Sequence, residues 1–241
     1  MKNIYIAIFI YIAGTAIICF SSCNFDCIQG SGHLISQTGK IDAFTRLEVS
    51  AGIKINLKQD SSSVLKITAD DNLLKHIKIS VENGVLHISS KTNICNKNKI
   101  VIDLGIRNLE EIRSSGEVEI VSIGKINTRD LHVKLAGASK VTLDLDAAHV
   151  YTRGGGVSEL ILKGKAQSCE IDLSGSSKIL ALNFLVNNYN VETAGMGYCE
   201  IYVLDSLNAH SEGPSEIKYK GNPKVINREK SGVSSIDKFD K

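Results

Sequence analysis

The side chains in this sequence most able to support acid–base chemistry are carboxylates. Asp70 adjoins Asp71, Asp144 lies near Asp146, Asp172 stands alone, and Glu119, Lys140, Glu159, Lys178, Glu200 and Glu216 form a regularly spaced row. Cleavage of a glycosidic bond needs two carboxylates converging on it. The regular row instead alternates in sign through its first five members, so stacking sets acid beside base. This reads as a solvent-facing ladder worth a few tenths of a kcal/mol per pair. The adjacent aspartates sit near turns or caps and need no catalytic role. His33, His76, His87, His132, His149 and His210 show no i, i+4 pairing. No serine is framed as GxSxG, and Gly154–Gly156 lacks the helix and lysine of a phosphate loop. No catalytic residue, cofactor or metal is assigned.

The cysteines offer a different chemistry. Phe20-Ser21-Ser22-Cys23 follows Lys2 and an apolar run from Ile4 to Phe20. A large apolar residue, two small residues and a cysteine resemble a bacterial lipobox, in which the thiol takes the lipid; Phe20 departs from the commoner leucine. Residues 1–23 are therefore expected to be a lipoprotein signal peptide, with Cys23 acylated by palmitate-type chains. Such chains hold a protein at a membrane surface without a spanning helix. Export implies an oxidising compartment for Cys27, Cys95, Cys169 and Cys199. None of these has CxxC spacing or a histidine at zinc-ligand spacing, and their pairing is not readable from the sequence. Cys169 and Cys199 fall at inward positions, the latter in a row of small residues, and are expected as buried free thiols.

These groups must be positioned by a repeat. Gly116, Gly137, Gly156, Gly175, Gly197, Gly213 and Gly232 recur at intervals of about 19 residues, the signature of a solenoid. Four residues after each comes an aliphatic: Ile120, Val141, Leu160, Ile179, Ile201, Ile217 and Ile236. Two residues after come mostly small ones: Val118, Ser139, Ser158, Ser177, Cys199, Ser215 and Ser234. Six before the last six glycines come Leu131, Val150, Cys169, Val191, Leu207 and Ile226. The alternation has period two, so the repeats are strands. Coils of this length bury their apolar faces only by stacking in parallel, about 4.8 Å apart. The expected fold is all-β, a parallel β-helix, right-handed by the preference of parallel crossovers. A leucine-rich-repeat solenoid fits less well, since no helix or asparagine ladder recurs.

Parity makes the fifth residue after each glycine an outward one. Ile161, Leu180 and Tyr202 are consecutive apolar members of that row and form the candidate contact patch. The charge balance is +2, without a basic stripe, which argues against nucleic acid as partner. Residues 24–39 read as a linker, 40–222 as the domain, with regular coils over 111–222, and 223–241 as a partial coil and polar tail. Over 40–110 the strands are less regular: Arg46–Ser50, Ile53–Lys58, Leu65–Ala69, Ile77–Glu82, Val85–Ser89 and Ile100–Leu104. Glu82-Asn83-Gly84 predicts a hairpin turn, and Asp71-Asn72 a cap on a helical turn at Leu73–His76. This half fits either irregular coils of the same helix or a separate small β-domain.

The segment from Ala43 to Lys91 resembles the bacterial family called putative auto-transporter adhesin, head GIN domain. The resemblance rests on Phe44 before a short strand, Ala69-Asp70-Asp71-Asn72-Leu73-Leu74, and Glu82-Asn83-Gly84 followed by Leu86 and Ile88. It continues through Ser114-Ser115-Gly116 and the glycine coils, over about 40–222. It implies an exported β-helical lipoprotein of the Gram-negative cell envelope, anchored in the outer membrane and facing the periplasm or the outside. The expected role is a non-catalytic, adhesin-like interaction module with a protein or glycan partner or a second copy. A polysaccharide-active enzyme on the same scaffold is the alternative.

Overall fold

The computed structural model describes residues 27–95 and 98–239. Its strands are, first, β1 (Ile28–Gln29), β2 (Leu34–Lys40), β3 (Arg46–Ser50), β4 (Ile53–Gln59) and β5 (Val64–Asp70). After a 3-10 turn at Leu74–His76 come β6 (Ile77–Glu82), β7 (Val85–Ser90), β8 (Ile94–Cys95), β9 (Ile100–Ile106) and β10 (Glu111–Ser115). Five long, bent strands follow: β11 (Val118–Leu135), β12 (Lys140–Gly154), β13 (Glu159–Leu173), β14 (Lys178–Ala194) and β15 (Tyr198–Glu212). β16 (Glu216–Lys220) and β17 (Val225–Ser231) form a further coil, and β18 (Ser235–Lys238) stacks on β16.

From β10 onward each strand pairs in parallel with the next coil, giving a parallel β-solenoid of about 7 turns with ~19-residue spacing. Period-two alternation drives this: Leu160, Leu162, Ile171 and Leu173 of β13 are buried, and the polar residues between them face out. The central ladder runs Ile102, Ile55, Ile120, Val141, Leu160, Ile179, Cys199, Ile217 and Ile236. All nine are 0–1% exposed, and each contributes on the order of 1.5–3 kcal/mol by burial.

This ladder also settles the N-terminal half, which belongs to the same solenoid. β3 and β4 form a coil that lies between two others: β3 pairs with β10 on one side and β7 on the other, β4 with β11 and β9. The spatial order of coils therefore departs from chain order here. Antiparallel strands finish this end: β5 lies on β9, β2 on β5, and β6 on β7. Asn83 (φ 51) and Gly84 (φ 74) make the β6–β7 turn, as their types predict. Asp71 does not cap the 3-10 turn, which has Leu73 at its N-cap with no side-chain bond and whose first bond runs from the His76 N–H to the Leu73 carbonyl. Its carboxylate instead accepts bonds from the Ser31 hydroxyl (2.6 Å) and the Asn72 N–H (2.7 Å). The segment read as a linker thus contains β2, paired along its length with β5, and a disulfide joins Cys27 to Cys95.

The glycine row needs one correction. Gly116, Gly137, Gly156, Gly175, Gly195, Gly213 and Gly232 share φ values of 70–89°, so the row passes through Gly195, not Gly197. A Cβ on Gly156 would lie 2.9 Å from the Gly137 carbonyl oxygen, so the backbones stack too closely for a side chain. The serine row closes the same turn: Ser139, Ser177 and Ser215 donate to the carbonyls of Ala136, Ser174 and Glu212 at 2.8, 3.0 and 3.0 Å. Bulges in β14 between Ala181 and Leu185 absorb the extra residues of that coil. The shift by two keeps every inside/outside assignment but changes partners. Cys199 takes the aliphatic position given above to Ile201, Tyr189 replaces Val191 between Cys169 and Leu207, and Gly197 joins the small-residue row. Cys169 and Cys199 are buried and free, and burial pushes both thiols well above their usual pKa.

Candidate contact surface

Outward rows carry what surface chemistry the solenoid has. On the first face, Glu119 accepts from Lys54 (3.0 Å) and Lys99 (2.6 Å), and these bonds hold its carboxyl below the usual range. Lys140 pairs with Glu159 at 2.8 Å. The alternation then ends, because the register sets Tyr198, not Glu200, beside Lys178. The Lys178 and Lys218 ammonium groups lie 5.1 and 5.6 Å from the Tyr198 ring centroid, while its hydroxyl donates to Glu200. Burial, then that bond, pushes the phenol up to about 12.

Ile161 and Leu180 are neighbours in register and both half-buried on the outer side. Tyr202 does not extend their row. Glu200 follows Leu180, and Tyr202 pairs with Leu185 and Lys220 at the next face, with the Lys220 ammonium 5.3 Å from its ring. The continuous strip of three expected from spacing is therefore two separate apolar spots.

Beside Leu185 lies a groove of about 410 Å³ that residue spacing does not announce. Gly164, Ala147 and Ala166 floor it, and Leu185 and Leu204, 40% and 42% exposed, wall it. Lys165 paired to Asp146 (3.2 Å), Asn187 bonded to Gln167 (2.8 Å) and Lys125 add polar groups to its lining. The readable signal was the run of small residues at 147, 164 and 166 in adjacent coils. The bulge in β14 hid which residue would stand next to them.

The third face was missed as well. His132 stacks on Tyr151 with centroids 4.6 Å apart, His149 bonds to Ser168 (2.8 Å), and Ser206 donates to Asn188 (2.6 Å). Asn208 donates to Asn190 at 2.8 Å. These are pairs between adjacent coils, visible in the sequence as like polar residues 18–19 positions apart.

Glu212 and Glu229 meet at His210, 3.0 and 3.3 Å from its ring nitrogens, whereas Asp172, Asp146 and Asp70 are each held separately. Asp172 accepts from Arg153 at 2.9 Å, and Asp146 is taken by Lys165. Asp70 is 1% exposed while Asp71 is exposed, so the two face opposite ways. Among the described residues no group of three or more His, Cys, Asp or Glu side chains could hold a metal ion. No described helix is long and apolar enough to cross a membrane. Cys23 lies outside the described residues.

The described residues thus define a stacked parallel β-solenoid whose outer faces carry charge pairs between adjacent coils. Residues 43–223 match the family described as putative auto-transporter adhesin, head GIN domain. The chain belongs to that family. A solved structure of a putative adhesin from Bacteroides fragilis NCTC 9343 is similar to it with 25% identity and a TM-score of 0.83, over 88% of this chain and 100% of that one. A putative adhesin from Parabacteroides merdae ATCC 43184 shares the fold at 21% identity and TM-score 0.70, covering 89% and 100%. A structure from Parabacteroides distasonis ATCC 8503 titled a putative lipid binding protein does so at 21% and 0.66, also covering 89% and 100%. Comparison with curated proteins gave no match.

Proposed function

We propose that this protein is a non-catalytic, adhesin-like contact module of the bacterial cell envelope, held at a membrane by acyl chains on Cys23. The observation that carries the contact reading is the pairing of charges between coils: Lys140 with Glu159, Lys165 with Asp146 and Arg153 with Asp172. Each of these three acids is neutralised by a base on a neighbouring coil, which leaves a long, patterned face. Membership of an adhesin family supports the same role. The apolar spots at Ile161 and Leu180, and at Tyr202 with Leu185, are the proposed points of contact, for a protein, a glycan or a second copy.

The test uses the purified domain in two arms. Saturable binding to envelopes or to immobilised glycans, with no cleavage of those glycans, is the expected result. Depolymerisation that disappears with Asp144→Asn or Asp172→Asn would establish the enzyme reading instead. Substituting Ile161, Leu180 and Tyr202 together by Ser is expected to leave circular dichroism unchanged and to weaken capture about tenfold, the scale of one apolar anchor. Loss of the fold would show these positions to be core.

The anchor has its own test. Cys23→Ala is expected to abolish incorporation of labelled palmitate and to release the protein from the membrane fraction. Undiminished labelling would remove the lipid from the proposal. Cys27 follows Cys23 by four residues in the sequence and is tied to Cys95, so the anchor would hold the N-terminal end of the solenoid against the membrane.

A further inference from the structure

Strands β17 and β18 present a problem that parallel solenoids must solve. Among the described residues β17 pairs with β15 alone and β18 with β16 alone, so the far side of each carries unpaired backbone groups. Such an edge is a template for another strand, the nearest source being the same edge of a second copy. The rows that reach these strands are otherwise suited to continue. Leu86, Leu47, Ile112, Val133, Thr152, Ile171, Val191 and Ala209 stack in one inward row, every one buried.

The next member of that row is Arg228. Lys230 likewise follows the buried Thr193 and Ser211, and Lys238 follows the buried Tyr219. Three positions in inward register on β17 and β18 are thus cationic and exposed, whereas the strands beneath carry buried apolar or hydroxyl groups there. The Arg228 side chain crosses from β17 to β18, where its guanidinium donates to the Ile236 carbonyl at 3.4 Å. Ser235 and Phe239 turn their N–H groups back to Ser215 and Tyr219. Strand alternation therefore points the Ile236 carbonyl to the free side, where an added strand would need it. Lys238 donates to Asn222 at 2.6 Å, and among the described residues no acidic side chain pairs with any of the three cations. Glu229 faces outward toward His210, 3.3 Å away.

We infer that Arg228, Lys230 and Lys238 form a built-in stop that keeps the C-terminal edge of the solenoid from joining a second copy of this chain. Stacking another end here would bury three cations without partners and displace Arg228 from the carbonyl, both strongly unfavourable. The stop is independent of which outer face makes the adhesive contact.

The test replaces Arg228, Lys230 and Lys238 together by Val. Sedimentation velocity of the otherwise unchanged protein is expected to show a monomer for wild type and reversible, concentration-dependent dimers for the variant, with the strand signal in circular dichroism retained. A folded variant that stays monomeric would overturn the inference, as would a wild-type dimer cross-linked through β17 or β18. If the Val variant does not fold, the decision passes to Arg228→Glu with Lys230→Glu and Lys238→Glu. Each end then repels its own kind, so this variant and wild type are each monomeric alone, and an equimolar mixture associates at low salt. A mixture that remains monomeric would then refute the stop.

Discussion

Ile179→Asp is expected to unfold the central coils, while Lys178→Asp, one residue away, leaves the domain folded. Ile179 is 1% exposed and lies between Leu160 and Cys199 in the central ladder. The change removes an aliphatic side chain from a packed stack, about 2–5 kcal/mol. It also places a carboxylate where no donor is available, a further cost of several kcal/mol. The sum approaches the whole stability of an ordinary domain, about 5–15 kcal/mol. Lys178 faces solvent, and its replacement removes a cation–π contact to Tyr198 and sets a second acid beside Glu159. That costs about 1 kcal/mol. Urea titration followed by circular dichroism checks both. Equal damage from the two substitutions would refute the inside/outside assignment.

Gly164→Ala is expected to be the second most damaging change, from a single methyl group. Gly164 has φ +102, and a Cβ there would lie within 2.0 Å of the Leu145 carbonyl oxygen. No side-chain rearrangement relieves a clash with backbone, so the β12–β13 pairing must open locally. Gly84→Ala is the matched control: its φ is +74, yet nothing lies within 4 Å of the added carbon. That substitution bears only the backbone strain, about 1–2 kcal/mol. Gly164→Ala bears the strain and the clash, about 3 kcal/mol or more. Because Gly164 also floors the groove beside Leu185, its loss distorts that surface. Similar denaturation midpoints for the two variants would show that the coils are not packed this closely.

The parallel ladder was legible because period two and a period near 19 are both written in residue types. Ile120, Val141, Leu160 and Ile179 stand where spacing places them. Partner identity failed at β15 for a physical reason. Thr193-Ala194-Gly195-Met196-Gly197 offers two glycines two residues apart, and a shift of two conserves the side-chain alternation. Only the φ of +89 at Gly195 and its stacking on Gly175 distinguish them. The same ambiguity misplaced Glu200 in the charge ladder and Tyr202 in the apolar strip. The coil formed by β3 and β4 was hidden differently: its neighbours come from β7 and β9 on one side and β10 and β11 on the other. No local pattern announces such an insertion. The Cys27–Cys95 bridge depends on that long-range arrangement and was equally unreadable.

The interleaved coil has a mechanical consequence for a load applied between the two ends of the solenoid. Tension applied through the distal coils acts on the parallel ladders one rung at a time, because each regular coil is bonded only to its neighbours. Coils peel off singly, each paying out about 65 Å of extended chain for its ~19 residues. The β3–β4 coil cannot leave this way. It is gripped from both sides by segments that follow it in the chain, and it lies within the stretch that the Cys27–Cys95 disulfide closes. A pull that strips the outer coils meets a locked base, so the molecule lengthens by steps before its N-terminal end gives way.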